Sequence, residues 1–373
     1  MKKKNIVILG GSYAGVSTAH RILKNVDKAA PFKITLVSPN THFYWNVASP
    51  RGMIPGQLTD EQLFLPIAAG FGKYSADQFE FINGSAESVD TEGKTVVIAT
   101  EARKVTLDYD MLIIATGTRT TERSPFKGVG STEETRGLLH EFQEKIDKAK
   151  TIVVAGAGVT GVEVAGELGS EYGREKEIIL VAAEATVLSV APRHVSKLAS
   201  QALQKVDVRL KLQTKIIDSI PRPDGKQELT LSNGETLTTD MYIPTFGLIP
   251  NSSFIPDRFL NTRGFATVDA HLNFKGTTDV WAIGDICDVE YCQILSCDRQ
   301  STYVAKSIVA ILGGTGPAAP YKAMTSRMMG LQIGKKAGTG FYGSWRIPTF
   351  LVVRLRKTLF VERLGPMVDG SQF

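Results

Sequence analysis

The sequence lacks most features that mark secreted, metal-binding or membrane-spanning proteins. Its 373 residues include only three cysteines, whose spacing matches neither a disulfide framework nor a zinc ligand set. The longest apolar runs, such as residues 111–115 and 350–353, are much shorter than the roughly 20 residues that cross a bilayer. No leader pattern separates residues 1–4 from the first apolar strand. We therefore expect an intracellular, cytoplasmic protein, soluble or peripheral on a membrane, with buried thiols and no metal.

Charge and catalytic side chains are also sparse. The net charge of +5 is small for this length and concentrated at the two ends of the chain, so we expect no nucleic-acid partner. No Ser–His–Asp or paired-carboxylate arrangement is present, and the five histidines, including His42 and His194, lie in no recognisable catalytic context. With 43% hydrophobic residues the chain can bury a large core, and its length predicts two domains plus a short appendage.

A weak internal duplication organises the chain, with its two copies 146 residues apart. Each copy consists of an apolar strand, a glycine turn, a helix and a second strand. The first copy comprises a strand at 6–9, a turn at 10–15, a helix to about Asn25 and a strand at 33–38. The second comprises a strand at 152–155, a turn at 156–161, a helix through Leu168 and a strand at 178–182. This order predicts two dinucleotide-binding units of the Rossmann type.

The glycines of such a unit have separate tasks. The first permits a tight turn, the second lets the backbone approach a pyrophosphate, and the third lets the helix pack on the sheet. The pyrophosphate then lies at the amino terminus of the helix, where free N–H groups favour anions. We expect cofactor contacts at Gly10, Gly11, Ser12, Tyr13, Ala14 and Gly15 in the first copy and at Gly156, Gly158, Val159, Thr160 and Gly161 in the second.

The two copies depart from the pattern in different ways. Ser12 replaces the second glycine of the first copy, which adds a side chain and a hydroxyl beside the pyrophosphate. Ser38 and Ala182 stand where an acid would bind the adenosine ribose. Because no acid is present to repel a 2′-phosphate, NADPH is at least as compatible as NADH.

Two later segments fit the same architecture. Residues 109–117 form an apolar strand that ends in Ala115, Thr116 and Gly117, as expected at a ligand crevice. Residues 280–285 form a second buried-type strand ending in Gly284 and Asp285, followed by a helix over about 299–312. Residues 231–235 predict a β-hairpin turn. The predicted fold class is α/β, with two doubly wound domains.

These motifs, in this order, resemble the pyridine nucleotide-disulfide oxidoreductase superfamily. The resemblance is strongest to the branch that contains apoptosis-inducing-factor-like proteins, the ferroptosis suppressor and type II NADH dehydrogenases. It spans about residues 5–325 and rests on the turn at 10–15, the strand at 109–117, the run at 156–168 and the segment at 281–285.

The resemblance implies FAD in the first unit and NADH or NADPH in the second. It implies an FAD domain formed by residues 1–120 and 245–325, an inserted NAD(P)H domain at 121–244, and a carboxyl-terminal segment at 326–373. It also implies that Asp285 contacts the ribityl chain, that Arg51 lies near FAD and that the backbone of Ala86 contacts adenine, with Ser38, Gly247 and Gly284 as further cofactor contacts. The alternatives are that Asp285 caps the next helix and that Arg51 forms a surface salt bridge.

Glu163 is the most informative carboxylate. It follows the last glycine of the second turn by two residues, where the helix dipole stabilises negative charge. The resemblance implies instead that it lies beside the nicotinamide and positions that ring at the flavin.

The carboxyl-terminal stretch at 346–363 mixes bulky apolar residues with five basic residues against one glutamate. This composition suits an anionic membrane surface, or a terminal element packed on the core with solvated basic edges. The resemblance places Lys357 and Phe360 near a quinone pocket.

The leading hypothesis is an FAD-dependent NAD(P)H:quinone oxidoreductase. A thiol or disulfide reductase that uses Cys287 and Cys292 is an alternative, although these residues follow Asp285 and do not lie in the first helices. A redox-sensing or apoptosis-related signalling protein with little turnover is the third hypothesis.

Overall fold

The computed structural model describes residues 3–27 and 30–373, so Met1 and Lys2 of the basic start lie outside the described residues. The strands are β1 (Lys4–Leu9), β2 (Phe32–Ser38), β3 (His42–Tyr44), β4 (Phe64–Pro66), β5 (Phe79–Asn83), β6 (Ser85–Asp90), β7 (Thr95–Ala99), β8 (Lys104–Asp108), β9 (Met111–Ile114), β10 (Thr118–Thr120), β11 (Thr151–Ala155), β12 (Glu177–Val181), β13 (Val208–Lys211), β14 (Ile216–Pro221), β15 (Gln227–Leu231), β16 (Thr236–Thr239), β17 (Met241–Pro244), β18 (Leu248–Pro250), β19 (Val280–Ala282), β20 (Met328–Ile333), β21 (Ala337–Tyr342) and β22 (Trp345–Ile347). The α-helices are α1 (Tyr13–Asn25), α2 (Ser49–Gly52), α3 (Asp60–Leu63), α4 (Ile67–Gly70), α5 (Thr132–Lys148), α6 (Val159–Tyr172), α7 (Arg193–Lys205), α8 (Ile294–Leu312), α9 (Thr349–Arg356) and α10 (Leu364–Val368).

The first sheet contains five parallel strands in the order β19-β9-β1-β2-β5. All four residues of β9 are buried, and so are the last four of β1, as expected for strands covered on both faces. Because β19 joins this sheet from the late part of the chain, the polypeptide leaves the first sheet and later returns to it.

The second sheet lies between these two passages of the chain. It contains the parallel strands β13-β12-β11-β17. Strands β14, β15 and β16 form a separate antiparallel sheet, and the predicted hairpin turn connects β15 to β16. Gly234 adopts a left-handed φ of 84° in that turn. The predicted α/β class with two parallel sheets is confirmed; the domain boundaries at 120, 244 and 325 stay predictions.

Helix α8 differs from the sequence prediction. It begins at Ile294, five residues before the predicted start at Arg299. Its first turns contain serine and cysteine, which have weak helix propensity, so local sequence gave little signal. Burial against α1 stabilises them, and the Ser301 hydroxyl donates a hydrogen bond of 3.2 Å to the Ala14 carbonyl.

The carboxyl-terminal segment forms a small third unit. Strands β20, β21 and β22 make an antiparallel sheet that packs against α6 and carries α9 on β21. Residues 364–373 then return to α1, where Val368 accepts a hydrogen bond of 2.8 Å from buried His20. Among the described residues, no helix combines the length and apolar composition required to cross a membrane.

Candidate functional site

A cavity of about 590 Å³ opens at the carboxyl ends of β1, β2, β9 and β19, within the usual volume range of ligand sites. Such crevices at strand ends are where open α/β sheets bind ligands. Most residues predicted to contact FAD line this cavity, although they come from distant parts of the chain. They are Gly10, Gly11, Ser12, Tyr13, Ala14, Ser38, Ala86, Ala115, Thr116, Gly117, Gly284 and Asp285.

Close backbone contacts in the first glycine turn require glycine at two of its positions. Gly10 has a φ of 119°, and a Cβ atom there would lie 2.2 Å from the carbonyl oxygen of Ala115. Gly15 does not line the cavity, and a Cβ atom there would lie 1.8 Å from the Gly10 carbonyl oxygen, so this position requires glycine for the tight turn itself. Ser12 makes no side-chain cap to α1. The amino terminus of α1 therefore offers uncapped N–H groups to an anion in the cavity.

The cavity wall carries cations that the motifs did not identify. Arg119, Arg123 and Lys127 all line it, and Lys127 Nζ lies 2.6 Å from Asp285 Oδ2. His42 also lines the cavity, and burial lowers its pKa, which favours the neutral ring. An excess of positive charge suits a dinucleotide pyrophosphate. These cations belong to no local motif, so only their place after the strand at 109–117 could have drawn attention to them.

Asp285 lies in a short 3₁₀ turn, Gly284–Ile286, where Gly284 has a φ of 76°. Gln293, and not Asp285, is the residue that precedes α8 as its N-cap, so the helix-capping alternative is wrong. Eight residues separate Asp285 from Ile294, the first residue of α8, and the Asp285 carboxylate faces Lys127 and the Cys297 thiol instead.

The cysteines are arranged differently from the expectation. Cys287 and Cys297 are buried, but Cys292 is exposed, which corrects the prediction of buried thiols throughout. Cys292 and Cys297 line the cavity, whereas Cys287 does not. Burial raises the pKa of Cys287 to about 12, and incomplete hydration of the Cys292 thiol within the cavity raises its pKa to about 11, although the residue as a whole is exposed. Burial also raises the pKa of Cys297, so all three thiols are protonated at neutral pH.

Arg51 lies outside the cavity lining and is 6% exposed. Its Nη2 forms an ion pair of 2.8 Å with Glu167 Oε1 on α6, and its Nη1 donates a hydrogen bond of 2.7 Å to the Lys357 carbonyl. The alternative of a surface salt bridge is therefore corrected: the salt bridge exists but is buried. The contact of Arg51 with FAD stays a prediction.

The second glycine turn leaves space at its centre. A Cβ atom at Gly161 would lie 1.8 Å from the Gly156 carbonyl oxygen, so this turn is as tight as the first. Gly158, the N-cap residue of α6, is exposed, with nothing within 4 Å of an added Cβ atom. Val159 follows it as an exposed residue and Thr160 as a partly buried one. Space beside free helix N–H groups is what a second pyrophosphate requires.

The second turn is bordered by the loop that follows β17. Phe246 in this loop is 50% exposed, and its side chain lies within 4 Å of a Cβ atom added at Gly156. Gly247 has a φ of 79°, and a Cβ atom there would lie 2.3 Å from Thr121 Oγ1. Gly247 thus allows the loop to approach the chain leaving the first sheet. The cofactor contacts predicted for this turn and for Gly247 stay predictions.

Glu163 is buried and ion-paired. Arg356 Nη2 lies 2.6 Å from Glu163 Oε1, which also accepts a long hydrogen bond of 3.4 Å from the Gln332 backbone N–H. Burial raises the pKa of Glu163 even though the Arg356 charge opposes that shift. Glu163 therefore joins α6 to the carboxyl-terminal segment. Neither of the two sequence interpretations, stabilisation by the helix dipole and contact with the nicotinamide, predicts this ion pair. Its predicted role at the nicotinamide is untested.

Lys357 and Phe360 lie in the turn after α9. Trp45 Nε1 donates a hydrogen bond of 2.9 Å to the Leu359 carbonyl, and the neighbouring residues Asn46 and Val47 line the cavity. Leu359 and Phe360 both have left-handed backbone conformations, with φ of 51° and 59°. Two consecutive non-glycine residues of this kind cost free energy that the surrounding contacts must offset. The turn is thus joined through Trp45 to a segment of the cavity wall.

The residues of the first unit fit FAD. The cavity joins the glycine turn, an excess of cations and a carboxylate, and one buried polar atom there lacks a hydrogen-bond partner. Thr118 Oγ1 lines the cavity, is buried, and finds no acceptor or donor among the described residues. A hydroxyl or phosphate oxygen of FAD bound in the cavity would give this atom a partner.

Comparisons with known proteins agree with this geometry. A family model described as pyridine nucleotide-disulphide oxidoreductase matches residues 4–308. The chain is 52% identical over 370 residues to oxidoreductase ptaL of Pestalotiopsis fici, which covers 99% of each chain. It is 26% identical over 368 residues to ferroptosis suppressor protein 1 of Taeniopygia guttata, covering 96% of this chain and 94% of that protein.

A solved structure also shares the fold. The sulfide:quinone oxidoreductase of Aquifex aeolicus aligns with a TM-score of 0.79 at 18% identity, covering 98% of this chain and 92% of that one. The predicted resemblance is confirmed, and with it FAD as cofactor and NADH or NADPH as co-substrate. The chain belongs to the pyridine nucleotide-disulphide oxidoreductase family.

Proposed function

We propose that this oxidoreductase takes hydride from NADH or NADPH onto FAD and passes the electrons to a quinone-type acceptor. The observation that supports the proposal is the hydrogen bond from Trp45 to the Leu359 carbonyl, which joins the turn at 357–360 to the segment whose residues Asn46 and Val47 line the flavin cavity. When bound, FAD supplies the redox chemistry, so the protein has to bind, orient and shield the reactants.

The chain divides these tasks among its elements. The turn around Gly158 and the start of α6 offer N–H groups to the nicotinamide cofactor's pyrophosphate. Glu163 and Arg356 tie α6 to α9, so the second glycine-turn unit and the carboxyl-terminal segment at 326–373 are joined by an ion pair. Phe360 supplies an aromatic face, over which Arg356 and Arg363 lie at 5.6 and 4.9 Å from the ring centroid. An apolar ring bordered by cations suits a planar acceptor with carbonyl oxygens.

The relatives support a quinone acceptor without identifying it. The Aquifex aeolicus enzyme is named for a quinone, and the resemblance to the ferroptosis suppressor extends over nearly the whole of both chains. These two alignments cover 98% and 96% of this chain, so each includes most of the carboxyl-terminal segment at 326–373.

The first experiment follows the flavin itself. Absorbance spectra of the purified protein are recorded anaerobically before and after addition of NADH and of NADPH, and each nicotinamide should bleach the flavin band if it is a substrate. Quinones are then added to the reduced protein. A colourless preparation that cannot be reconstituted with FAD, or flavin that neither nicotinamide reduces, would rule out the proposal.

A variant pair tests the acceptor site. Phe360→Ala should lower kcat/KM for quinones about tenfold, the effect of one lost aromatic contact, while flavin reduction by the nicotinamide stays unchanged. Tyr342→Ala, which truncates an aromatic residue 53% exposed on β21, is the matched control. Equal quinone kinetics in both variants and the wild-type protein would place the acceptor elsewhere.

We further propose that the carboxyl-terminal segment at 326–373 contacts an anionic membrane surface. Trp345 and Phe350 are 80% and 73% exposed, and the exposed cations Arg346 and Arg354 lie in the same segment. Exposed apolar side chains bordered by cations favour anionic headgroups. Replacing Trp345 and Phe350 together by serine should abolish cosedimentation with phosphatidylserine vesicles.

Serine in place of Ile217, which is 59% exposed on β14, is the control for that experiment. Cosedimentation equal in all three proteins, or equal with zwitterionic vesicles, would exclude this surface as an anionic-membrane contact.

Thiol reduction remains the second candidate because Cys292 and Cys297 line the flavin cavity. The raised pKa values of these thiols disfavour it, since thiolates are the reactive species. Loss of turnover in a Cys292→Ser variant that still holds FAD would favour this candidate over quinone reduction.

A further inference from the structure

An ion pair that belongs to no motif lies in the wall of the flavin cavity. Lys127 Nζ is 2.6 Å from Asp285 Oδ2, and the two side chains are 23% and 14% exposed. Lys127 belongs to the loop between β10 and α5, which carries the chain out of the first sheet. The pair thus joins two segments 158 residues apart at the cofactor site.

The loop around Lys127 is fixed to the cavity wall. Three polar side chains that line the cavity each donate a hydrogen bond to a backbone carbonyl of this loop. The bonds are Tyr44 to Pro125 at 2.7 Å, Asn46 to Phe126 at 2.9 Å and Asn40 to Gly130 at 2.7 Å. The Phe126 side chain is itself buried. Because the backbone is anchored on both sides of Lys127, its side chain has a defined starting point toward Asp285.

Lys127 keeps its positive charge inside the cavity wall. Burial acts to lower the pKa of Lys127, but the Asp285 charge and hydrogen bond outweigh it and leave the pKa raised. The ammonium group is therefore charged at neutral pH. The other carboxylate oxygen, Oδ1, makes a long contact of 3.7 Å to the Cys297 sulfur, and the Cys292 thiol also hydrogen-bonds to this carboxylate. Asp285 thus retains acceptor capacity, since a carboxylate has about four lone-pair sites.

We propose that Lys127 is a cofactor-positioning residue that acts through Asp285. Its ammonium group holds the carboxylate in one orientation, so that the remaining lone pairs of Asp285 meet the ribityl hydroxyls of FAD. Lys127 does not touch the cofactor in this arrangement. The inference rests on the FAD binding of the proposed function and is independent of the acceptor.

A double-mutant cycle tests this arrangement by FAD affinity alone. The dissociation constant of FAD is measured by quenching of flavin fluorescence, without nicotinamide or quinone, for wild type, Lys127→Met, Asp285→Asn and the double variant. Each single change should weaken binding about ten- to a hundredfold, the effect of losing a charge-assisted contact. In the Asp285→Asn background, Lys127→Met should cost no more than about twofold, because its effect passes through Asp285.

Further variants separate positioning from general damage. Lys127→Arg should restore affinity to within a few-fold of wild type, because it keeps the charge. Lys226→Met removes a lysine from a more exposed ion pair with Asp240, outside the cavity lining, and should leave FAD affinity unchanged. Circular dichroism of each FAD-free protein, with its thermal midpoint, verifies that the variants fold.

Three results would overturn the inference. Additive losses in the double variant would mean that Lys127 contacts FAD directly. Unchanged affinity in a folded Lys127→Met protein would mean that the pair is only structural, and failure of Lys127→Arg to rescue would mean that charge is not the cause. The FAD affinities are measured without an electron acceptor, so this test does not depend on quinone reduction. A protein whose double-mutant cycle shows the expected FAD affinities but which reduces no quinone would contradict the proposed function and leave this inference intact.

Discussion

Acidification should loosen the carboxyl-terminal end of the chain through His20 on α1. The His20 side chain is fully buried and stacks on Phe71 with ring centroids 3.9 Å apart. Its Nε2 donates to the Val368 carbonyl at 2.8 Å, and its Nδ1 accepts from the Tyr74 hydroxyl at 3.3 Å. The neutral ring is therefore satisfied at both nitrogens, and it holds the segment that follows the turn at 357–360.

The size of the effect follows from the pKa of His20, which burial lowers from 6.5 to about 4. The unfolded chain binds a proton below about pH 6.5, whereas the folded chain resists protonation until about pH 4. The stability contribution is therefore complete above pH 6.5 and is lost as the pH falls toward 4. Linkage gives a loss of about 2 kcal/mol between pH 7.5 and pH 5 from this residue alone.

The assay is urea unfolding at pH 7.5 and pH 5 of the wild-type protein and of His20→Gln, whose amide can still donate to Val368. The wild-type protein should lose about 2 kcal/mol more than the variant, because glutamine does not titrate. Hydrogen exchange of residues 364–373 should accelerate at pH 5 only in the wild-type protein, after correction for the intrinsic rate. Equal losses of stability in the two proteins would refute the reasoning.

Arg51→Met should lower the free energy of unfolding by about 3–5 kcal/mol, because it leaves the buried Glu167 carboxylate unpaired, and Arg51→Met with Glu167→Met should regain most of that loss in urea titrations. Gly10→Ala should prevent folding or FAD retention, since its Cβ would lie 2.2 Å from a backbone oxygen, as judged by circular dichroism and flavin content. Gly158→Ala should leave the thermal midpoint nearly unchanged but weaken nicotinamide binding about tenfold or more, because its methyl group would enter open space near the expected pyrophosphate. Thr118→Val should weaken FAD binding about three- to tenfold in fluorescence titrations without destabilising the FAD-free protein, because its hydroxyl has no partner among the described residues.

The parts of the fold that the sequence predicts are those with local causes. The glycine turns, the helices that follow them and the buried strands β1, β9, β11 and β19 appear as short patterns, because backbone sterics and burial on both faces restrict the residues allowed there. These patterns and the family resemblance together predicted twelve of the residues that line one cavity, most of them where parallel strands place their carboxyl ends at the same sheet edge.

The sequence does not predict the start of α8, because that start has no local cause. Its first residues have weak helix propensity, and their helical state depends on packing against α1. The exposed position of Cys292 likewise depends on the path of the loop before α8, which no residue pattern specifies.

The sequence by itself determined two glycine turns, the parallel sheets behind them and hence the family, because each of these features is encoded within about ten neighbouring residues. Tertiary structure alone decided which charges meet. The pairs Lys127 with Asp285, Arg51 with Glu167 and Glu163 with Arg356 join segments separated by 158, 116 and 193 residues. A charged side chain carries no local mark of its partner, because the partner is selected by burial and distance once the sheets have packed.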